Sequence, residues 1–219
     1  MHHRPYGPYE RFFKRPLDLL CGLAAVLVFW WLYLLLAILG TIFMRGNPFF
    51  IQDRPGRGGR IFKLIKFRSM NNRKDNTGKL LSDHVRLNKY GRFLRKTSLD
   101  ELPEVFNIIK GDMSIVGPRP LMSRYLMYYT PDEMRRHLVR PGLTGYAQSH
   151  GRNKIDWGER LALDLYYVDH ISFSLDIRIL FETVLLVLRR EGISTDNMEN
   201  FDDYRKKQLH YEAQEDVKA

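Results

Sequence analysis

Cysteine is almost missing from this chain of 219 residues. The one thiol, Cys21, lies inside an apolar run, so no intramolecular disulfide can staple the fold, and a reducing, cytoplasm-facing globular part is the simplest expectation. Histidine offers little more, since His2 and His3 are too few to read as metal-binding. Neither the P-loop nor the dinucleotide fingerprint occurs, and no nucleic-acid motif, internal repeat or low-complexity tract is present. With 44% hydrophobic and 27% charged residues the chain is not a disordered polymer, and its length suits one compact domain plus an attached element.

Positive charge is plentiful. A formal net charge of +10 favours anionic partners: nucleic acid, anionic lipid headgroups or phosphorylated small substrates. Charge alone does not choose among them. A long apolar run narrows the choice, because Leu19 to Met44 carries no charge and as a helix spans roughly 40 Å, more than the ~30 Å hydrocarbon core. The basic leader Arg4, Arg11, Lys14 and Arg15 resembles that of a signal peptide, but the run is too long and lacks a clean small-residue cleavage site. Arg45, Arg54, Arg57 and Arg60 follow it as promptly, so the positive-inside rule leaves both a re-entrant and a spanning helix open. Pro16 suits the first turn, and Asp18 is placed to pair with Arg15 or to complement the helix dipole.

Beyond this element, Phe49–Gln52 and Arg60–Met70 flank Arg54-Pro55-Gly56-Arg57-Gly58-Gly59, which predicts a hairpin or tight loop with a surface turn near acidic lipid. Residues 71–82 read as an exposed loop. Helical patterns then follow from Ser98, from Thr130-Pro131-Asp132-Glu133 and from Ser174, where Ile177, Leu180, Phe181, Val184 and Leu188 form an apolar stripe that packs or lies on lipid. From about Asn200 the polar, mixed-charge sequence reads as a peripheral tail.

The densest chemistry lies in Thr97-Ser98-Leu99-Asp100-Glu101-Leu102-Pro103-Glu104 and in Gly117-Pro118-Arg119-Pro120. The spacing of Ser98 and Glu101 fits a capping box, with Asp100 complementing the dipole. The same geometry serves chemistry: a helix N-terminus keeps Asp100 ionised, able to attack phosphorus or to bind Mg²⁺ with Glu101. Arg119, stiffened by two prolines, suits bidentate grip on phosphate, though a solvated turn explains it equally. Lys66 and Arg68 alternate with apolar residues, as on a cleft wall or a half-wet strand.

Lys14-Arg15-Pro16-Leu17-Asp18, Lys66-Phe67-Arg68-Ser69-Met70, Leu99-Asp100-Glu101-Leu102-Pro103, Lys110-Gly111-Asp112-Met113-Ser114, Val116-Gly117-Pro118-Arg119-Pro120 and Arg140-Pro141-Gly142-Leu143-Thr144-Gly145 occur in this order. Together they resemble the bacterial sugar transferase family of monotopic phosphoglycosyl transferases. The resemblance implies transfer of a sugar 1-phosphate from a UDP-sugar to polyprenyl (undecaprenyl) phosphate, with Asp100 as nucleophile and UMP released. It further implies Glu101 assisting with Mg²⁺, Arg119 binding phosphate, and Lys66, Arg95, Arg152 and Asp164 as contacts around the substrate.

The implied fold is α+β and mostly helical: a membrane-anchoring helix with its leader (1–45), expected to be re-entrant, then a small cytoplasmic catalytic domain (46–199) with interfacial amphipathic helices, then a polar tail (200–219). The family's helix is broken by a Ser-Pro pair near its middle; here Trp30-Trp31 stands instead, which favours a straight helix more than in relatives with proline. The expected place is the bacterial inner membrane, catalytic part on the cytoplasmic face. The expected partners are UDP-sugar, polyprenyl phosphate and membrane lipid and no nucleic acid, with self-association or downstream glycosyltransferases left open. The rival reading is a membrane-tethered scaffold or anion-binding module without chemistry.

Overall fold

The computed structural model describes residues 7–150, 155–189 and 199–216. A one-turn π-helix, Tyr9–Phe13, leads into α1, Lys14–Met44, which runs unbroken through Trp30-Trp31 for about 46 Å. No proline removes a backbone bond there, so nothing interrupts the ladder. The helix is long and apolar enough to cross a membrane.

Both ends of α1 are fastened to the globular part. At its foot Asp18 accepts from Ser114 Oγ (2.6 Å) and from the Ile115 amide (3.1 Å), while Arg15 donates to the Ile108 and Ile109 carbonyls (2.6 and 2.8 Å). Asp18 therefore neither pairs with Arg15 nor serves the dipole, as the sequence had suggested: it is buried and claimed by distant partners. Further along, Gly40 lies so close to Pro48 that a Cβ would sit 2.8 Å from it, and Leu36 and Met44 join Phe67, Tyr90 and Leu94 in a buried cluster. Between these contacts Leu27 to Trp31 are exposed in every direction, Leu27 at 78%.

The expected hairpin forms from β1, Phe49–Pro55, and β2, Ile61–Phe67, antiparallel with Gln52 opposite Leu64 and Phe50 opposite Lys66. Short helices follow: α2, Asp83–Arg86; α3, Lys89–Thr97; and α4, Glu104–Lys110. Strand β3, Ser114–Val116, pairs in parallel with β4, Gly142–Thr144. Gly117 and Gly142 let these segments touch, because a Cβ at Gly142 would meet the Gly117 amide at 2.1 Å. Helix α5, Tyr146–His150, is short; α6, Trp157–Asp169, and α7, Phe173–Arg189, complete one core with Val116, Val139, Tyr167 and Ile179.

Helix α7 begins one residue before the expected Ser174 and leaves Ile177, Phe181, Val184 and Leu188 exposed, as an interfacial helix would. Thr130 and Glu133 make the reciprocal bonds of a capping box, though they open a 3₁₀ turn, Glu133–His137. The segment read as a polar tail forms helix α8, Phe201–Asp216. Phe201 is 0% exposed among Tyr125, Tyr129 and Trp157. The mostly helical α+β fold with one long apolar N-terminal helix and a small globular domain is thus as the sequence implied.

Candidate active site

The Asp100-Glu101 pair sits between α3 and α4, in a turn whose local geometry differs from a capping box. Ser98 ends α3 in the left-handed conformation (φ 55°), and its hydroxyl caps nothing. Residues Leu99–Glu101 form a 3₁₀ turn, with α4 beginning only at Glu104. Local capping loses because Glu101 has stronger partners: its Oε1 accepts from Lys66 Nζ at 2.7 Å and from Arg119 Nη2 at 2.6 Å. Two cations on one carboxylate oxygen outweigh one backbone amide. Burial raises the Glu101 pKa, but Arg119 and then Lys66 overturn that and hold it down at about 2.

Asp100 is placed differently. Its carboxylate makes no hydrogen bond or ion pair among the described residues, yet it lines a cavity of about 1000 Å³ together with Lys66, Arg95 and Arg119. Burial and the neighbouring Glu101 raise its pKa, opposed by Lys66, Arg119 and Arg95. These cations, and not the dipole of an α-helix, favour its charge. The membrane helix steadies this turn from behind: Tyr33 Oη donates to the Leu102 carbonyl at 2.9 Å.

Lys66 is shared. Its ammonium also meets Glu104 Oε1 at 2.9 Å. Glu104 is only 3% exposed, and burial raises its pKa to about 7 against the pull of Lys66. Sequence reading assigned Glu104 no role, because its partner lies 38 residues upstream on β2 and nothing local announces it. Arg119 leaves the turn after β3 with 39% of its side chain exposed, while Glu101 raises its pKa. Its backbone is braced in turn: Arg136 Nη2 donates to the Arg119 carbonyl at 2.8 Å and to Asp164 Oδ2 at 2.7 Å.

The expected site residues therefore gather as follows. Asp100, Glu101, Lys66, Arg95 and Arg119 line one cavity, with Arg95 also bonding Ser69 Oγ at 3.0 Å. Asp164 lines it too, but its carboxylate is buried in the pair with Arg136, whose own role sequence reading missed. Arg152 lies outside the described residues. Arg54, read as part of a surface turn, lines the cavity and donates to Gln52 Oε1 at 2.7 Å; Arg68 lines it too and donates to the Phe49 carbonyl. The turn itself is held by Arg57 Nε on the Leu138 carbonyl, 3.1 Å away.

The donor set suits a hard cation in one respect. Magnesium is commonly held by one or two carboxylates plus substrate phosphates, and Asp100 and Glu101 supply two adjacent acids in a cavity with several arginines for phosphate. No group of three or more His, Cys, Asp or Glu side chains able to hold a metal by themselves occurs among the described residues. Such a cation would thus need substrate oxygens to complete its shell.

A family model described as bacterial sugar transferase matches residues 9–190. The chain belongs to this family. Within it, the sequence is 54% identical over 153 residues to the uncharacterized sugar transferase EpsL of Bacillus subtilis (strain 168), covering 69% of this chain and 76% of that protein. It is 38% identical over 201 residues to the undecaprenyl-phosphate galactose phosphotransferase of Salmonella typhimurium, covering 84% of this chain and 42% of the relative. The UDP-glucose:undecaprenyl-phosphate glucose-1-phosphate transferase of Xanthomonas campestris pv. campestris is 38% identical over 182 residues, with 78% and 38% covered. The chain thus spans less than half the length of these two named phosphotransferases. Their names specify different sugars, so the sugar is not fixed by membership.

Proposed function

We infer that this sugar transferase moves a sugar 1-phosphate from a UDP-sugar to polyprenyl phosphate, through a covalent intermediate on Asp100, with release of UMP. The observation that carries this reading is the Asp100 carboxylate: without an ion pair or hydrogen bond among the described residues, partly desolvated and ringed by Lys66, Arg95 and Arg119 in a cavity large enough for a nucleotide-sugar. A carboxylate with few hydrogen bonds attacks more readily than a solvated one. The family's named relatives act on undecaprenyl phosphate and UDP-sugars, which supports the substrate classes.

In the first step an Asp100 oxygen bonds to the sugar-bearing phosphorus, the bond to the bridging diphosphate oxygen breaks, and UMP departs with that electron pair. Arg119, with its exposed guanidinium edge, and Arg95 bind the phosphate oxygens and balance their charge. Lys66, fixed by Glu101 and Glu104, holds a positive charge beside them. Asp100 and Glu101 would hold Mg²⁺, which would supply Lewis-acid neutralisation of the diphosphate. In the second step an oxygen of polyprenyl phosphate attacks the same phosphorus, the bond to Asp100 breaks, and a polyprenyl diphosphate sugar leaves the free carboxylate behind. One carboxylate can thus serve a soluble donor and a lipid acceptor in turn.

The membrane reading follows from α1. A helix fastened to one globular domain at both ends would drag an end from its partners if it crossed a ~30 Å core, which supports anchorage at the cytoplasmic face, although α1, unbroken through Trp30-Trp31, has no bend at which to enter and return. Its free midsection from Leu27 to Trp31 is the part that meets hydrocarbon. The product would start bacterial glycoconjugate assembly. Purified chain in nanodiscs with polyprenyl phosphate, Mg²⁺ and a panel of UDP-sugars tests the reading: UMP release with at least one donor, abolished by EDTA, is expected, and none from any donor by folded protein refutes it.

A further inference from the structure

The cavity that holds Asp100 has a second half that the donor step leaves unused. Its lining carries the acids and cations already described. It also holds apolar side chains from two helices, Ala25 and Tyr33 of α1 and Leu180, Val184 and Val187 of α7, with Thr183 beside the last three. The two helices that supply it are joined at their feet, where Lys14 Nζ and Tyr9 Oη both reach Asp176 Oδ2, at 2.5 and 2.6 Å. From that joint Ala25 lies eleven residues along α1 and Val187 eleven along α7, about 16 Å up each helix, and both line the cavity.

This apolar lining is open. Val184 and Val187 line the cavity yet remain 55% and 42% exposed. Leu23 and Leu27 of α1 and Leu188 of α7 are exposed apolar side chains as well. A nucleotide-sugar, whose diphosphate and hydroxyls need polar partners, gains little from such walls. A hydrocarbon chain gains about 25 cal/mol for each Å² of its surface that they cover.

We propose that the cleft between α1 and α7 binds the first isoprene units of the lipid acceptor, which enters sideways from the bilayer and brings its phosphate to Asp100. The inference rests on the reaction proposed above and adds to it the place of the second substrate. It gives α1 a role beyond anchorage, since one wall of the acceptor site is the membrane helix itself. It also explains why one cavity joins clustered cations to bare aliphatic side chains: each half matches one end of a phosphorylated isoprenoid.

The test compares full-length wild type, Val184→Trp, Ala25→Phe and Phe181→Trp in nanodiscs, with a UDP-sugar that the wild type turns over. UMP is measured first without acceptor, as a burst, and then in steady state with polyprenyl phosphate. Val184→Trp and Ala25→Phe are expected to keep the burst but to raise the KM for polyprenyl phosphate about tenfold, the loss of roughly two buried methylenes. Phe181→Trp, on the same helix but outside the cavity, is expected to change neither. An unaltered acceptor KM in both cavity variants overturns the inference. Absence of a burst in wild type would instead count against the covalent reaction, and a second measurement then decides the acceptor site without any substitution. Wild-type protein is photolysed with a polyprenyl phosphate carrying a diazirine on its first isoprene unit. Crosslinks on peptides containing Ala25 or Val184 support the site, and crosslinks confined to other segments refute it.

Discussion

Replacing Glu104 by Gln removes a buried acid while keeping its shape. In the folded protein burial raises the Glu104 pKa from the usual carboxylate range to about 7. A group whose folded pKa lies above its unfolded value binds its proton more tightly in the native state, so its stabilisation is complete below the unfolded pKa and is lost as pH rises through the folded one. At 1.36 kcal/mol per unit, the window from about pH 4.5 to 7 corresponds to roughly 3 kcal/mol, with the pull of Lys66 at 2.9 Å already included in the raised pKa. For a chain of this size that is a shift of about 6–12 °C in Tm. The assay is thermal unfolding of wild type and Glu104→Gln in detergent with EDTA, from pH 5 to pH 8. The difference in Tm, variant minus wild type, is expected to grow in favour of the variant as pH rises, and then to level off above pH 7. A difference independent of pH would refute the reasoning and show Glu104 to be ionised throughout.

Other expectations follow from the same contacts. Asp164→Asn leaves Arg136 buried without its counter-ion and is expected to cost about 3–5 kcal/mol by chemical denaturation, because a lone buried charge is worse than the pair. The same change should also loosen Arg119, whose carbonyl Arg136 holds, so the KM for the UDP-sugar rises even where the protein remains folded. Phe201→Ala opens a void among Tyr125, Tyr129 and Trp157 and is expected to lower stability by about 3–5 kcal/mol, a result that an unattached tail would not give.

What sequence reading reached and what it missed divide by distance along the chain. The β1–β2 hairpin was legible because Pro55, Gly56, Gly58 and Gly59 lie between two β-rich segments, and α7 because its apolar stripe repeats at helical spacing. The apolar run of α1 announced itself by length. The Asp100-Glu101 turn misled, because Ser98 and Glu101 carry capping-box spacing; the Glu101 carboxylate is drawn instead to Lys66 and Arg119, neither of them a sequence neighbour. Asp18 was read as a local charge for the same reason, although its partners lie 96 and 97 residues away. Phe201 was hidden by its polar neighbours: one aromatic ring docks a segment whose average composition looks like solvated tail. Gathering Asp100, Glu101, Lys66, Arg95 and Arg119 needed the family resemblance, which compresses long-range contacts that spacing cannot reveal.

The central claim is that Asp100 carries the sugar phosphate between donor and acceptor. The most direct measurement is mass spectrometry of the protein after incubation with a productive UDP-sugar and Mg²⁺ but no polyprenyl phosphate, followed by peptide mapping, with Asp100→Asn beside it. The account predicts a gain of one sugar phosphate on the peptide containing Asp100, lost on adding polyprenyl phosphate and absent from the variant. An unmodified wild-type protein that nevertheless turns over, or a sugar phosphate found on another residue, would contradict it.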